Sequence, residues 1–331
     1  MTSKATVVAP SNIALIKYWG TQNLNLTLPY NPSLSITLRN CTTRTTVEVL
    51  DDEVVDQVLI RSESGDLEPA GDGFTNGVTA HLDRLRDWSQ TEVRFRVATE
   101  NSFPMGTGLA SSASGFAALA LAAAAALERQ VSEAQASILA RLSGSGSAAR
   151  SVIGGYVEWP VGDDGRAVSV AGPDHWDLRD VVAILDERVK EISSREGHRR
   201  ATSSPYFELR LELLPERLDR VRAAIRQRDF AALAPVVEEE ALDLHLIAMS
   251  SRPPIFYWQP GTLKVLERIR QIRADGVEVC ATMDAGANVH AICTAEAEDA
   301  VVESLEALED VKTVIRDGVG PGPERSDEHL I

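Results

Sequence analysis

The sequence predicts an α+β protein built as two lobes, and three observations carry that prediction. At 331 residues the chain is long enough to bury two cores. Its first hundred residues read mainly as strands, after which an Ala- and Leu-rich helix takes over. From Val181 strands and amphipathic helices begin afresh, so the lobes are drawn as 1–180 and 181–331. A content of 44% hydrophobic and 25% charged residues supports folded lobes and excludes disorder as the default state.

The elements follow from local pattern. Ala5–Ala9, Asn12–Trp19, Ser33–Leu38, Thr45–Leu50, Gln57–Ser62 and Glu92–Thr99 are rich in Val, Ile and Thr or alternate apolar with polar residues, which predicts strands. A helix over Gly73–Trp88 interrupts them. Ser111–Leu127 predicts a strong helix with Ser111 and Ser112 as capping residues, and Ser132 caps a helix reaching Leu142. Gly154-Gly155 leads into a strand over Tyr156–Trp159. In the second lobe Val181–Leu185 is a buried strand, and helices are expected over Pro215–Gln227, Ala231–Ile247 and Gly261–Ala274. Strands Glu278–Met283 and Val289–Thr294 and a helix over Glu296–Leu308 complete it. Beyond the turn-rich Gly318–Pro323 the tail is expected to be loose.

Composition excludes several function classes. A net charge of −16 argues against binding a phosphate backbone, and 5% aromatic content argues against stacking single-stranded bases. A small phosphorylated substrate stays open, because a pocket can be basic under an acidic whole. Cys41, Cys280 and Cys293 are too few for a disulfide framework and lack zinc spacing, so they read as small buried hydrophobes. The start of the chain has neither an apolar signal core nor an Arg-rich amphipathic stretch. The longest apolar run, Ala117–Leu127, is too short to span a bilayer. These features predict a cytoplasmic protein with no nucleic-acid or membrane partner.

The chemistry concentrates in a few segments. Asn101–Ala113, with Pro104, Gly106, Gly108, Leu109 and Ala110 ahead of Ser111 and Ser112, joins a strand to a long helix. Glycines let backbone approach an anion, and a helix start offers unpaired N–H groups. The Ser hydroxyls can meet phosphate oxygens or Mg²⁺. The segment is neither a Walker A loop nor a dinucleotide fingerprint, and an ordinary Ser-capped helix is the plainer reading. Ser143–Arg150 repeats the theme with Ser145, Gly146 and Ser147 ahead of one guanidinium, an oxyanion cradle or a linker between helices.

Only five lysines stand against 28 arginines, and Lys17 lies inside the apolar run Asn12–Gly20. A desolvated ammonium needs a carboxylate. The candidate is Asp284, at the mouth of an apolar strand and before Gly286. There it would serve as a general base or orient a hydroxyl nucleophile, with a structural ion pair or an Asx turn as the plain alternatives.

Taken together, these segments resemble the mevalonate 5-diphosphate decarboxylases of the GHMP kinase superfamily. The likeness runs from Val7 to Thr294 through Asn12–Gly20, Leu28-Pro29, Ser33–Ser35, Phe103–Ala113, Gly144–Ser151 and Gly154–Trp159, then Ser193–Arg195, Pro253–Tyr257 and Asp284–Gly286. The glycine–serine loop alone points only to the superfamily, whereas Lys17–Gly20, Gly144–Ser147 and Asp284–Gly286 in this order point to the decarboxylases.

The resemblance implies a two-lobe GHMP-kinase-like fold, with a ribosomal protein S5 domain 2-like N-terminal lobe and an α/β C-terminal lobe. It implies ATP held by Pro104–Ala113 with Mg²⁺ at Ser112, and ATP-dependent decarboxylation of mevalonate 5-diphosphate to isopentenyl diphosphate. It is compatible with a homodimer. Asp284 would handle the 3-hydroxyl, Lys17 would pair with it, and Arg150 would hold the substrate carboxylate. Tyr18, Ser145, Gly146, Ser147 and Arg195 would surround the 5-phosphoryl end. Ser194 would orient the transferring phosphate, and Ser111 with Ser112 would meet the nucleotide phosphates.

One departure matters. Many family members carry a Lys directly after Tyr-Trp-Gly, where this chain has Thr21. The missing ammonium opens mevalonate 5-phosphate as an alternative substrate, unless Arg199 or Arg200 compensates. Ala287 replaces a customary Pro and should change only turn stiffness. Two rivals remain: a kinase of the same fold that stops after phosphorylation, and a non-catalytic metabolite-binding protein. His198, His245 and His290 read as satisfied or solvent-facing rather than metal-bound. Trp159 and Pro253–Tyr257 read as packing, and Glu238-Glu239-Glu240 as a solvated helix face.

Overall fold

The computed structural model describes residues 3–51, 53–62, 64–103, 111–162, 164–188 and 191–331. Its first half runs β1 (Lys4–Ile16), β2 (Thr21–Asn23), β3 (Leu28–Pro29), β4 (Ser33–Leu50), β5 (Gln57–Arg61), β6 (Leu67–Pro69), α1 (Asp72–Ser89) and β7 (Arg94–Asn101). Then come α2 (Ser111–Ala126), α3 (Glu133–Arg141), a 3₁₀ turn over Gly146–Ala149, β8 (Tyr156–Trp159) and β9 (Val168–Ala171). The second half comprises β10 (Leu178–Ile184), α4 (Ser194–Arg200), α5 (Phe207–Gln227), α6 (Phe230–Ser250) and α7 (Pro260–Ala274). It closes with β11 (Val279–Thr282), β12 (Val289–Thr294), α8 (Glu298–Glu306), β13 (Thr313–Gly318) and β14 (Glu324–Ser326).

These elements make an α+β fold around two main sheets. The first is eight-stranded, with the order β14-β1-β4-β7-β5-β6, β8 attached to β4 and β9 to β8. The second is four-stranded, with the order β11-β12-β10-β13. Strand β1 pairs with β4 in two stretches, Lys4–Pro10 and Asn12–Ile16, with a register shift between them. At that shift the amides of Arg39, Asn40 and Cys41 turn to the Asp317 carboxylate at 2.8, 2.9 and 2.8 Å. Because Asp317 lies on β13, this junction stitches the two sheets together. Helix α2 lies against β1 and β4, and its buried face is almost wholly alanine. Small side chains permit that close approach, where larger ones would overpack. A second core joins Ile13, Leu15, Leu34 and Ile36 of the first sheet to Val182 and Ile184 of the second.

The structure corrects several expectations. The tail is anchored: β14 pairs with β1, His329 Nδ1 meets Thr6 Oγ1 at 2.7 Å, and Lys4 Nζ donates to the Ile331 carbonyl at 2.8 Å. Helix α5 begins at Phe207, eight residues before Pro215, which sits inside it. Proline removes one helical bond, and the buried face of Phe207, Leu214, Leu218 and Val221 carries the helix through. Glu240 is 0% exposed rather than solvated, and Glu238 accepts from the Ala281 amide. In Pro253–Tyr257, Ile255 and Tyr257 pack inward while Phe256 is 73% exposed. Strands β2, β3, β6, β9, β13 and β14 and helix α4 had no counterpart in the sequence reading. Among the described residues, no helix is long and apolar enough to cross a membrane.

Candidate active site

Lys17 is the first residue beyond β1 and is 1% exposed. Its Nζ donates to Asp284 Oδ1 at 2.8 Å, across 267 positions of sequence. Asp284 follows β11 at a turn in which the Gly286 amide returns to the Asp284 carbonyl at 2.7 Å. Its side chain stays 28% exposed, so one face of the carboxylate is open to a substrate. Burial lowers the Lys17 pKa from its ordinary value despite the support of Asp284. Burial alone would raise the Asp284 carboxyl, but the Lys17 ammonium overrides it and holds the group below its usual range. Asp284 is therefore ionised and oriented.

Arg150 follows the Gly146–Ala149 turn and is buried. It donates from Nε to Ser35 Oγ at 2.9 Å, from Nη1 to Ser33 Oγ at 2.5 Å and from Nη2 to Asn12 Oδ1 at 3.1 Å. None of these partners is an acid. Burial pulls the guanidinium down to about 10, which leaves it protonated at neutral pH. Among the described residues its hydrogen-bond partners are neutral, and the nearby Asp284 charge only partly offsets its burial; a cation so placed suits an anionic group.

The cradle over 143–147 closes against this pair. Gly144 has φ +88°, and a Cβ there would fall 2.5 Å from Arg195 Nη2. Arg195 Nη2 donates to the Ser143 carbonyl at 3.3 Å. A Cβ on Gly146 would collide with Trp159 and Tyr18, so glycine is required for that contact. Tyr18 packs edge-on to Trp159 and stacks on His198, with centroids 5.1 and 4.0 Å apart. Its hydroxyl meets Thr21 Oγ1 at 2.5 Å, and burial pushes its pKa up to about 12. His198 Nδ1 accepts from the Gly20 amide at 3.0 Å, and burial drives its pKa down to about 3, so the imidazole is neutral. Ser194 opens α4, half-buried, one residue before Arg195.

At the start of α2, Ser112 Oγ meets Ser145 Oγ at 3.3 Å, and Ser145 Oγ meets Ser147 Oγ at 3.2 Å. A file of hydroxyls thus links the start of α2 to the cradle. Ser111 is the first residue of α2. Pro104, Gly106, Gly108, Leu109 and Ala110 lie outside the described residues. Among the described residues, no group of three or more His, Cys, Asp or Glu side chains could hold a metal ion. The exposed Ser112 hydroxyl fits a Mg²⁺ whose other ligands are phosphate oxygens and water, the usual way that ion is held.

The structure therefore brings Lys17, Tyr18, Arg150 and Asp284 into one neighbourhood with Ser112, Ser145, Gly146, Ser147 and Arg195. Sequence reasoning missed Asn12, Ser33 and Ser35 as the groups that hold Arg150, and His198 as the plate behind Tyr18. Hydroxyls at alternate positions of the otherwise apolar Ser33–Leu38 were the available signal. Sequence reasoning left open that Arg199 or Arg200 compensates for the Lys missing at Thr21. Both face Glu196, at 3.7 and 2.7 Å.

Comparison with known proteins places the whole chain in one family. Residues 9–171 match the model of the diphosphomevalonate decarboxylase-like N-terminal domain, and residues 181–325 that of the mevalonate 5-diphosphate decarboxylase C-terminal domain. The chain is 32% identical to a diphosphomevalonate decarboxylase of Candida albicans, covering 98% of this chain and 99% of that one. Mevalonate diphosphate decarboxylase from Staphylococcus aureus superposes with a TM-score of 0.92 at 32% identity, over 99% of both chains. A structure described as MDDEF in complex with MVAPP, AMPPCP and magnesium superposes at 0.90 with 33% identity, over 99% of this chain and 100% of that one. The chain belongs to the mevalonate 5-diphosphate decarboxylase family.

Proposed function

We propose that this member of the family carries out the ATP- and Mg²⁺-dependent decarboxylation of mevalonate 5-diphosphate in the cytoplasm. The terminal phosphoryl of ATP passes to the tertiary 3-hydroxyl, and the new phosphate and CO₂ then leave, giving isopentenyl diphosphate and ADP. The observation that carries this reading is the Lys17–Asp284 pair, 2.8 Å apart, in the same site as a buried Arg150 whose hydrogen-bond partners are all neutral.

Asp284 orients the 3-hydroxyl and accepts its proton, and Lys17 keeps that carboxylate ionised beforehand. Phosphoryl transfer asks for positioning and charge neutralisation more than for a strong base. Breaking the C3–O bond builds positive charge at a tertiary carbon. The ammonium facing it is already matched by Asp284, so no unbalanced cation stands against C3. Arg150 holds the substrate carboxylate until CO₂ leaves. Tyr18, Ser145, Gly146, Ser147 and Arg195 receive the 5-phosphoryl end, Ser194 the transferring phosphoryl, and Ser111 and Ser112 with Pro104–Ala110 the nucleotide. Mg²⁺ bound with Ser112 as one ligand supplies charge neutralisation on the nucleotide phosphates.

The test is stoichiometry. ADP, phosphate and CO₂ should appear one to one to one. ADP without gas would make the chain a kinase, and no turnover at all would make it a binding protein. A second reading, mevalonate 5-phosphate as substrate, is favoured by Thr21, a neutral hydroxyl on Tyr18, and by the engagement of Arg199 and Arg200 with Glu196. Comparing kcat/KM for the two substrates decides between them.

A further inference from the structure

Strand β1 ends at Ile16, so the Lys17 peptide leaves the ladder that satisfies the residues before it. A buried peptide must still find hydrogen-bond partners. Here it finds side chains. Glu240 Oε2 on α6 accepts from the Lys17 N–H at 3.2 Å. The Lys17 carbonyl accepts from Arg210 Nη2 on α5 at 2.8 Å and from Asn31 Nδ2 at 2.9 Å. Arg210 Nη2 also donates to Glu240 Oε2 at 2.8 Å, and its Nη1 donates to Asn31 Oδ1 at 3.3 Å. The second carboxylate oxygen of Glu240 accepts from Arg217 Nη1 at 2.7 Å. The result is a closed ring around the backbone N–H and C=O of one residue, with its charged members drawn from two helices of the second half.

Stability is a poor reason for such an arrangement, because a buried ion pair can often be replaced by apolar residues at no cost. Geometry is a better one. We infer that Glu240 and Arg210 are positioning residues for Lys17, clamping its peptide so that the ammonium meets Asp284. The charged groups around Lys17 are Asp284 after β11, Glu240 from α6, Arg210 from α5, Arg150 after the 146–149 turn and Asp180 from β10. The charges of Asp284 and Glu240 favour the protonated amine, while that of Arg150 opposes it.

Glu240→Gln keeps the shape and removes the charge. On the proposed reaction, kcat should fall roughly 10- to 100-fold, with nucleotide affinity unchanged. The same substitution in a Lys17→Met background should change the residual kcat less than twofold, since a positioning residue has nothing left to position. An equal loss in both backgrounds overturns the inference. A second readout is independent of turnover: the chain has five lysines, so lysine side-chain NMR with Lys17→Met for assignment follows Lys17 alone. Its titration midpoint should move further below that of the native chain in Glu240→Gln, and an unmoved midpoint overturns the inference. Failure of the proposed reaction itself would leave this titration intact, so the two failures are distinguishable. If Glu240→Gln does not fold, Asn31→Ala removes one neutral donor to the same carbonyl. It should lower kcat roughly 3- to 10-fold in the native background and leave the residual kcat of Lys17→Met unchanged, and equal losses would again overturn the inference.

Discussion

Lys17 and Arg150 are both buried cations of this site, and their nearest partners differ. Lys17 meets a carboxylate at 2.8 Å, whereas Arg150 meets two serine hydroxyls and an asparagine carbonyl. A paired charge gains orientation without gaining appetite for a further ion. An unmatched charge kept from water stores that appetite, because a bound anion recovers interaction energy that the fold forgoes. On the proposed function the contrast separates two tasks of the site: Lys17–Asp284 would prepare a hydroxyl, and Arg150 would await a carboxylate.

The sharpest way to break this contrast is Asp284→Asn. Turnover should drop on the order of 10³-fold while nucleotide affinity measured by titration calorimetry stays near native. Retained turnover would remove Asp284 from the chemistry. The next effect belongs to Arg150→Ala, which should lower kcat/KM for the mevalonate substrate by about 1.5–3 kcal/mol, roughly 10- to 100-fold, and leave nucleotide binding alone. Equal losses toward both ligands would mean that the guanidinium serves the fold instead.

The pH profile sharpens the first half of the contrast. Asp284 is held below its usual range, so its carboxylate survives well into acid and is lost only as pH falls through that lowered value. Lys17 is also lowered, so activity should fall on the alkaline side at a pH below the 10.5 of an ordinary lysine. His198, at about 3, should add no inflection near 6.5, and His198→Phe should leave the shape of the profile unchanged. The smallest expected change is at Thr21→Lys, which should move the preference between the two phosphorylated mevalonates about tenfold toward the diphosphate. An unmoved ratio would place Thr21 away from the phosphoryl end.

Much of the site was legible because its signals are local oddities. A lysine inside an apolar run, hydroxyl-rich glycine loops and an aspartate ahead of Gly286 each violate what a plain core would contain. The helices Asp72–Ser89 and Glu133–Arg141 were legible for a similar reason, since periodicity and the Ser132–Gln135 capping box act within a few residues. Glu240 was not legible. In Glu238-Glu239-Glu240 three identical side chains share a sequence context, and only the arrival of Arg210 and Arg217 makes the third one internal. Pro215 misled for the opposite reason, because a residue that fits a first helical turn is tolerated mid-helix once the apolar face is buried. Nor could the tail announce its pairing, since three residues of strand gain their meaning from the edge of β1.

From its residues alone, the sequence determined the two-lobe α+β plan, most element types, and the need of Lys17 for a carboxylate, because propensity, capping and desolvation act on neighbours or on single groups. Tertiary structure decided which carboxylate sits behind Lys17 as well as before it, which arginines are already engaged, and which cation is left to a ligand. Those outcomes depend on distances between residues as much as 267 positions apart, and electrostatics inside a protein is set by such distances and by the water excluded from them.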